Sequence, residues 1–553
     1  MGIKVSFGSI AVGLIVSSIA AAAPPETTKD AAANPATKQT TPPAVKQQPK
    51  PRVKVKISKE TTYITEPLRP DGYPDYVAAL DQRFSAGVTP ENNSAVLFWR
   101  ALGPKEISEK HRAKYFEMLG IEPLPEQGAY FVDIADYVIQ KKKAANPTKS
   151  AEDISHETSN EEGQVYSRPW SKEEFPLFAE ALATNEKQLA ILVEASKRPR
   201  RYDPLLGNGS VIAVLLPGPQ GHRSVVRALV ARAMLRIQEG KVDEAREDLT
   251  ACHRFAQLLG QGPTLVEALV AITIDGIAFT GDRALAEHGK LTSQQLLQMR
   301  DDLEKLPSLP KMADLIDFGE RLVYLDTALL CARGGLTGIL RLTSDSPSIR
   351  DRGLAESLIE AAASGLIDWN IVLRTGHPWY DRLVTVMREP NRTARRDGLA
   401  CFNKDVKSLA VSIKDYKSFG VAFLFNPQKA ASEATGNLLT ALLVPAYTAC
   451  AGAEDRWAMN LDLTKLAFSL AAYRVDHGSY PEKLSELAPK YAKAVPKDVF
   501  NDADLHYRRH DGGYLLYSVG LNGKDDGGRD IDDRKEGDTE FYDDLVVRVP
   551  GKK

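Results

Sequence analysis

The sequence predicts a mainly α protein, an irregular helical array that closes on a small α+β unit made of one long helix and an antiparallel hairpin. Three observations carry that expectation. Apolar residues recur at helical spacing over roughly 280 residues from Ser171 onward. Glycines and prolines punctuate those runs. Near the C-terminus the pattern gives way to two short strand-like segments, LHYRRH and GYLLYSVG.

A chain of 553 residues has room for two or three domains, and 43% hydrophobic with 26% charged residues is the balance of a packed globular protein. The formal net charge of −2 gives no basic footprint, so a nucleic-acid partner is excluded on electrostatic grounds.

The chain opens with Lys4, an apolar run from Val5 to Ile19 and four alanines, Ala20 to Ala23. That order is a secretory signal over residues 1–23, with cleavage expected after Ala22. It places the protein in the periplasm or outside the cell, with no integral membrane span once the signal is removed. Retention of the short apolar run as an envelope tether is the alternative. Residues 24–52 are Pro, Thr, Ala, Gln and Lys, too poor in large apolar groups to offset chain entropy, and read as a flexible linker.

Residues 53–168 form an N-terminal helical region. Val53 to Ile57 alternates like a strand, and two amphipathic helices follow between Pro74 and Leu102, separated by an N-cap at Thr89-Pro90-Glu91-Asn92. The stretch PLRPDG…YVAALDQRFSAGVTPENNSAVLFWRALGP resembles the opening of an uncharacterised exported bacterial family, a resemblance that implies no activity. Lys141 to Ser167 is polar and reads as an exposed loop or insertion.

Residues 169–435 form the helical array. Phe175, Phe178, Leu182, Leu189, Leu192 and Val193 mark its first apolar face. In His222 to Leu259, two helices turn at Gly240, and the order ARAMLRIQEGKVDEAREDL resembles one tetratricopeptide hairpin. No fixed period follows, so an irregular array is expected rather than a repeat solenoid. Further helices are expected at Thr264–Glu287, Thr292–Leu303, Lys311–Arg333, Leu354–Leu373 and Pro378–Met387. Cys252, Cys331, Cys401 and Cys450 contain no C-x-x-C pair, which excludes zinc-ribbon and thioredoxin chemistry. Buried free thiols and one or two disulfides both remain open.

Residues 436–553 form the C-terminal unit. LLTALLVPAYTA at Leu438 to Ala449 precedes a helix from Ala453 to Asp476, and Tyr473-Arg474-Val475-Asp476-His477-Gly478-Ser479-Tyr480-Pro481 closes it. With the two strands that follow, this segment resembles a type II secretion pseudopilin, in which ALAVPAY precedes a helix ending in YRLDNGRYP. The prepilin-peptidase signal is missing and the module lies at the C-terminus of a larger body, so the resemblance implies a fold and not fibre assembly.

The resemblance also implies a calcium site. Ca²⁺ takes six to eight oxygen ligands on a backbone that turns sharply. The loop from Ser518 to Gly528 offers Ser518, Asn522, Asp525 and Asp526 among four glycines. The resemblance places the family's turn acid on Asn522 and its Asp pair on Asp543 and Asp544, with Asp530, Asp532 and Asp533 as rivals in the intervening insertion. The role implied is structural. The bland alternative is a solvated acidic loop balanced by Lys524, Arg529, Arg534 and Lys535.

No G-x-S-x-G elbow, H-E-x-x-H helix, P-loop or Rossmann fingerprint is present. His253, beside Cys252, reads as a packed histidine, and His506 and His510 as surface residues. The functional expectation is a non-enzymatic exported scaffold with a protein or cell-envelope partner. A component of a secretion or pilus-like apparatus and a metal-dependent hydrolase are the alternatives.

Overall fold

The computed structural model describes residues 53–206, 210–211, 216–334, 365–412, 424–534 and 540–550. The expected signal peptide and linker (residues 1–52) and residues 354–364 of an expected helix lie outside the described residues. The described chain is mainly helical, with a three-stranded antiparallel sheet at its C-terminal end.

The chain from Val53 to Ile57 is extended but pairs with no strand; Tyr73 Oη donates to Val53 O at 2.5 Å and Lys56 N to Asn370 Oδ1 at 2.7 Å. Helices Tyr76–Ser85 and Ser94–Leu102 form where the apolar spacing places them. The cap of the second is Asn93, not the Thr89 segment. Asn93 Oδ1 accepts from Ala95 N and from Tyr202 N, each at 3.1 Å, so one side chain starts a helix and anchors the segment at Tyr202, 109 residues away.

The polar stretch after Lys141 is not a loop. It forms the end of helix Ile134–Ala145 and the whole of helix Ala151–Ser167. Ser150 caps the latter, acids fill its first turn, and Ile154, Thr158 and Val165 are buried against helices Pro219–Gln238 and Leu265–His288. Half-buried Tyr166 extends that stripe against the core, and ion pairs such as Lys142–Glu161 at 2.8 Å line the helix beside it.

The helical hairpin is Pro219–Gln238 and Val242–Leu259, turned at Gly240 with φ of 76°. Helices Leu265–His288 and Ser293–Lys305 both start in capping boxes, from Thr264 and Thr292. The expected Lys311–Arg333 helix is interrupted by one π-helical turn, Ile316–Glu320, before Arg321–Gly334. Pro378 does not start a helix; it lies inside Trp369–Met387.

Pro427–His477 is a single helix of 51 residues, about 75 Å long at 1.5 Å per residue. It passes straight through the boundary expected at 435/436. Strands β1 (His506–His510), β2 (Gly513–Ser518) and β3 (Leu545–Val549) follow, paired in the order β1-β2-β3 with Leu516 opposite both Tyr507 and Val547.

Two apolar cores result, and the long helix belongs to both. Its Leu439, Val444, Tyr447 and Cys450 join Tyr76, Leu322, Tyr324 and Tyr380 in one core. Its Met459, Leu463, Leu466 and Leu470 join the other, which also contains Phe98, Leu229, Phe255, Tyr514, Leu516 and Val547. Helix Leu265–His288 divides in the same way, Leu265 and Ala268 in the former core and Val270 to Leu285 in the latter. The C-terminal sheet therefore shares its apolar core with the helical body.

No disulfide forms among the four cysteines. Cys252, Cys331 and Cys450 are buried free thiols, whereas Cys401 is exposed. Burial pushes the Cys331 and Cys450 thiols each up to about 12. Among the described residues no helix is long and apolar enough to cross a membrane.

Because one apolar core spans sheet and body, residues 427–553 produced alone are expected to lack fixed tertiary packing. Near-ultraviolet circular dichroism of that fragment checks this; a native-like aromatic spectrum with a cooperative melt would contradict the shared core.

Candidate functional site

The acidic loop is assembled by the turn that leaves β2. Ser518 Oγ donates to Asp498 Oδ1 and Val519 N to Asp498 Oδ2, each at 2.9 Å, which fixes where the strand stops. Gly520 follows with φ of 68°, and a Cβ there would sit 2.1 Å from Asp543 O. Only glycine allows the loop to close against the chain entering β3.

That approach brings Asn522, Asp526, Asp543 and Asp544 together. Asn522 N donates to Asp543 Oδ2 at 3.1 Å and Asn522 Nδ2 to Asp526 Oδ2 at 3.2 Å. Asp526 N donates to Asp544 Oδ1 at 3.4 Å, and Gly528 N to Asp544 Oδ2 at 2.8 Å. Asp526 and Asp544 are each 2% exposed. The crowding shows in the acidity of Asp544 and Asp543. Burial first, then the charges of Asp526 and Asp525, pushes the Asp544 carboxyl up to about 6. Burial, with a smaller push from Asp526, also raises Asp543.

Two expected ligands turn elsewhere. Ser518 spends its hydroxyl on Asp498. Asp525 points to the other side of the turn, where it accepts from Tyr517 Oη at 3.0 Å and Gly527 N at 2.8 Å, with His506 Nδ1 at 3.7 Å. Asn522 is present in a different role, because its Oδ1 accepts from Lys524 N at 2.6 Å while its amide NH₂ holds Asp526. The rival acids Asp530 and Asp533 pair with Arg548 at 3.0 and 2.6 Å.

The oxygens left over are the informative ones. Asp526 Oδ1 and Asp543 Oδ1 are buried and accept no hydrogen bond. The cations nearby are Lys524, 3.4 Å from Asp526 Oδ1 and itself 63% exposed, and Arg456, 3.7 Å from Asp543 Oδ2. An unsatisfied buried carboxylate oxygen costs at least about 1–3 kcal/mol. The donor chemistry of Asp526, Asp543 and Asp544 fits a hard divalent cation. Among the described residues, however, no three Asp, Glu, His or Cys side chains already converge as a finished metal-binding group.

A second polar centre escaped the sequence pattern. His253 is buried between two carboxylates, with Nδ1 2.6 Å from Asp275 Oδ1 and Nε2 2.7 Å from Asp282 Oδ2. Trp457 Nε1 donates to Asp275 Oδ2 at 2.6 Å, so the long helix is tied into the same cluster. Burial alone would lower the imidazole; the two aspartates outweigh it and push it up to about 10, so the ring is an imidazolium. Asp275 and Asp282 are seven residues apart on one helix, a spacing that puts both on one face. That spacing was the available signal, since nothing local to His253 marks its partners. Cys252 Sγ lies 3.8 Å from Val226 O, and burial raises its thiol well above the usual range. A Cys–His nucleophile is therefore not formed here.

No family model, no curated protein and no solved structure matches this chain.

A histidine whose folded acidity constant is raised contributes stability that is complete below about 6.5 and is lost as pH climbs through about 10. The unfolding free energy of the wild type is expected to fall across that window, and His253→Gln to flatten the fall. His253→Gln also leaves two buried carboxylates unpaired and should destabilise the protein by about 3–5 kcal/mol in urea melts.

Proposed function

We propose that the protein is an exported, non-enzymatic scaffold or protein-interaction protein whose C-terminal sheet is held in register by a calcium-supported acidic loop. The signal-peptide pattern of residues 1–23 supports export. The long helix shared by both cores supports a rigid body rather than a chain of independent modules. The observation that carries the calcium reading is the pair of buried, hydrogen-bond-free oxygens, Asp526 Oδ1 and Asp543 Oδ1, in a loop with Asp544. A cation held there by those three carboxylates would add to the countercharge of Lys524 and Arg456 and secure the entry to β3. Its contribution would be to stability and not to chemistry.

Assembly into a pilus-like fibre is the weaker reading. Its packing stem would be Leu438 to Tyr447, yet Leu439, Val444 and Tyr447 are buried inside the protein's own second core. The metal-dependent hydrolase reading is weaker for a different reason: the acids are closed over by their own backbone, from Gly520 to Gly528.

Thermal unfolding of the full chain in calcium and in EGTA tests the proposal. A ligand at about one hundred times its Kd stabilises by about 2.7 kcal/mol, which corresponds to a Tm several degrees higher in calcium. Asp526→Asn is expected to be neutral or mildly stabilising in EGTA, because it removes a repulsive charge, and to abolish the calcium response. An identical Tm with and without calcium in the wild type would overturn the reading.

A further inference from the structure

Asn522 is followed by Gly523, one of two Asn-Gly pairs in the sequence; the other, Asn208-Gly209, lies outside the described residues. Such a pair sets an electrophile and a nucleophile a few bonds apart: Cγ of the asparagine side chain and the peptide nitrogen of the glycine. Any other residue after the asparagine would shield that nitrogen with a side chain, and glycine has none.

The fold presents both atoms. Asn522 and Gly523 are exposed, and nothing lies within 4 Å of where a Cβ would stand on Gly523. Gly523 N donates to Gly520 O at 3.3 Å, beyond the usual length of a peptide hydrogen bond. The carboxamide is held at both ends. Its Oδ1 accepts from Lys524 N at 2.6 Å, and its Nδ2 donates to Asp526 Oδ2 at 3.2 Å. The Lys524 bond turns the carbonyl toward the Gly523 side of the chain. It also sets an N–H donor where negative charge would gather if Cγ were attacked.

We infer that Asn522 is a site of spontaneous covalent modification, deamidating through a succinimide closed by Gly523 N. Gly523 N gives its proton to water and bonds to Asn522 Cγ, with charge gathering on Oδ1 opposite the Lys524 N–H. The Cγ–Nδ2 bond then breaks, and Nδ2 takes a proton from water and leaves as ammonia. A water molecule opens the ring at either carbonyl, giving aspartate or isoaspartate. Both products put a carboxylate where the amide stood. The donor to Asp526 Oδ2 is lost, and a further acid joins Asp526, Asp543 and Asp544. Repulsion there loosens the approach of the loop to β3 unless a cation is present. The modification is independent of the calcium reading; only the response of its product to a cation rests on that reading.

Peptide mapping by mass spectrometry tests it, with the full chain aged in EGTA at neutral pH beside a synthetic peptide of His510–Lys524. In that tryptic segment Asn522 is the one amide side chain, so an amide-to-acid mass gain is assigned to it. Digestion in heavy-oxygen water marks any conversion that occurs during preparation. The native chain is expected to convert within about tenfold of the free peptide or faster, because the fold leaves the attack open. Slower conversion than that would overturn the assignment. Asn522→Asp is expected to melt below freshly prepared wild type in EGTA, and aged wild type to move toward it. Equal melting of Asn522→Asp and fresh wild type would overturn the effect assigned to the new carboxylate. Both readouts are taken without calcium, so their failure is distinct from a failure of the calcium reading.

Discussion

The architecture depends on a crossing of two helices at a buried charge. Leu265–His288 and Pro427–His477 each leave one apolar core and enter the other, and they meet where Asp275 accepts from both His253 and Trp457. An isolated carboxylate at that depth would be untenable. Here it is met by an imidazolium and an indole N–H from two other helices. The charge therefore fixes the relative register of three elements that apolar packing alone would leave free to slide. Nearby, Arg283 donates to Thr464 Oγ1 at 3.0 Å and Asn460 Oδ1 at 2.9 Å, a second polar tie along the same contact.

The two buried acidic centres differ in how fully they are met. In the His253 centre, all four Asp275 and Asp282 oxygens but one have a donor, and the arrangement is rigid. In the loop after β2, backbone N–H groups of Asn522, Asp526 and Gly528 hold the carboxylates in place without neutralising them. Backbone amides orient charge but do not remove mutual repulsion among Asp526, Asp543 and Asp544. That contrast separates a structural ion cluster from a loop suited to an external cation.

Much of the helical architecture was legible because it is encoded locally. Thr264 and Thr292 with Glu267 and Gln295 mark helix starts within four residues, and Gly240 marks a corner by its own conformational freedom. Residues 141–167 read as a loop because their core-facing side chains, Ile154, Thr158, Val165 and Tyr166, make a stripe too sparse to stand out from the polar background. Helix Pro427–His477 runs through residues 435 and 436 for a related reason, since a change in sequence character does not end a helix that both cores bury. At the loop, Asn522, Asp526, Asp543 and Asp544 were found together as the sequence suggested, whereas Ser518 and Asp525 were drawn off by Asp498 and Tyr517. Competition from partners distant in sequence is invisible in a linear pattern.

The uneven placement of the cysteines gives the molecule an internal reporter. Cys401 stands at the surface 3.8 Å from the Arg382 guanidinium, while Cys252 lies in one core and Cys331 and Cys450 in the other. A maleimide meets one thiol on the native protein and gains others only as a core opens. The order in which the three hidden sulfurs become alkylated thus distinguishes which half of the long helix lets go first.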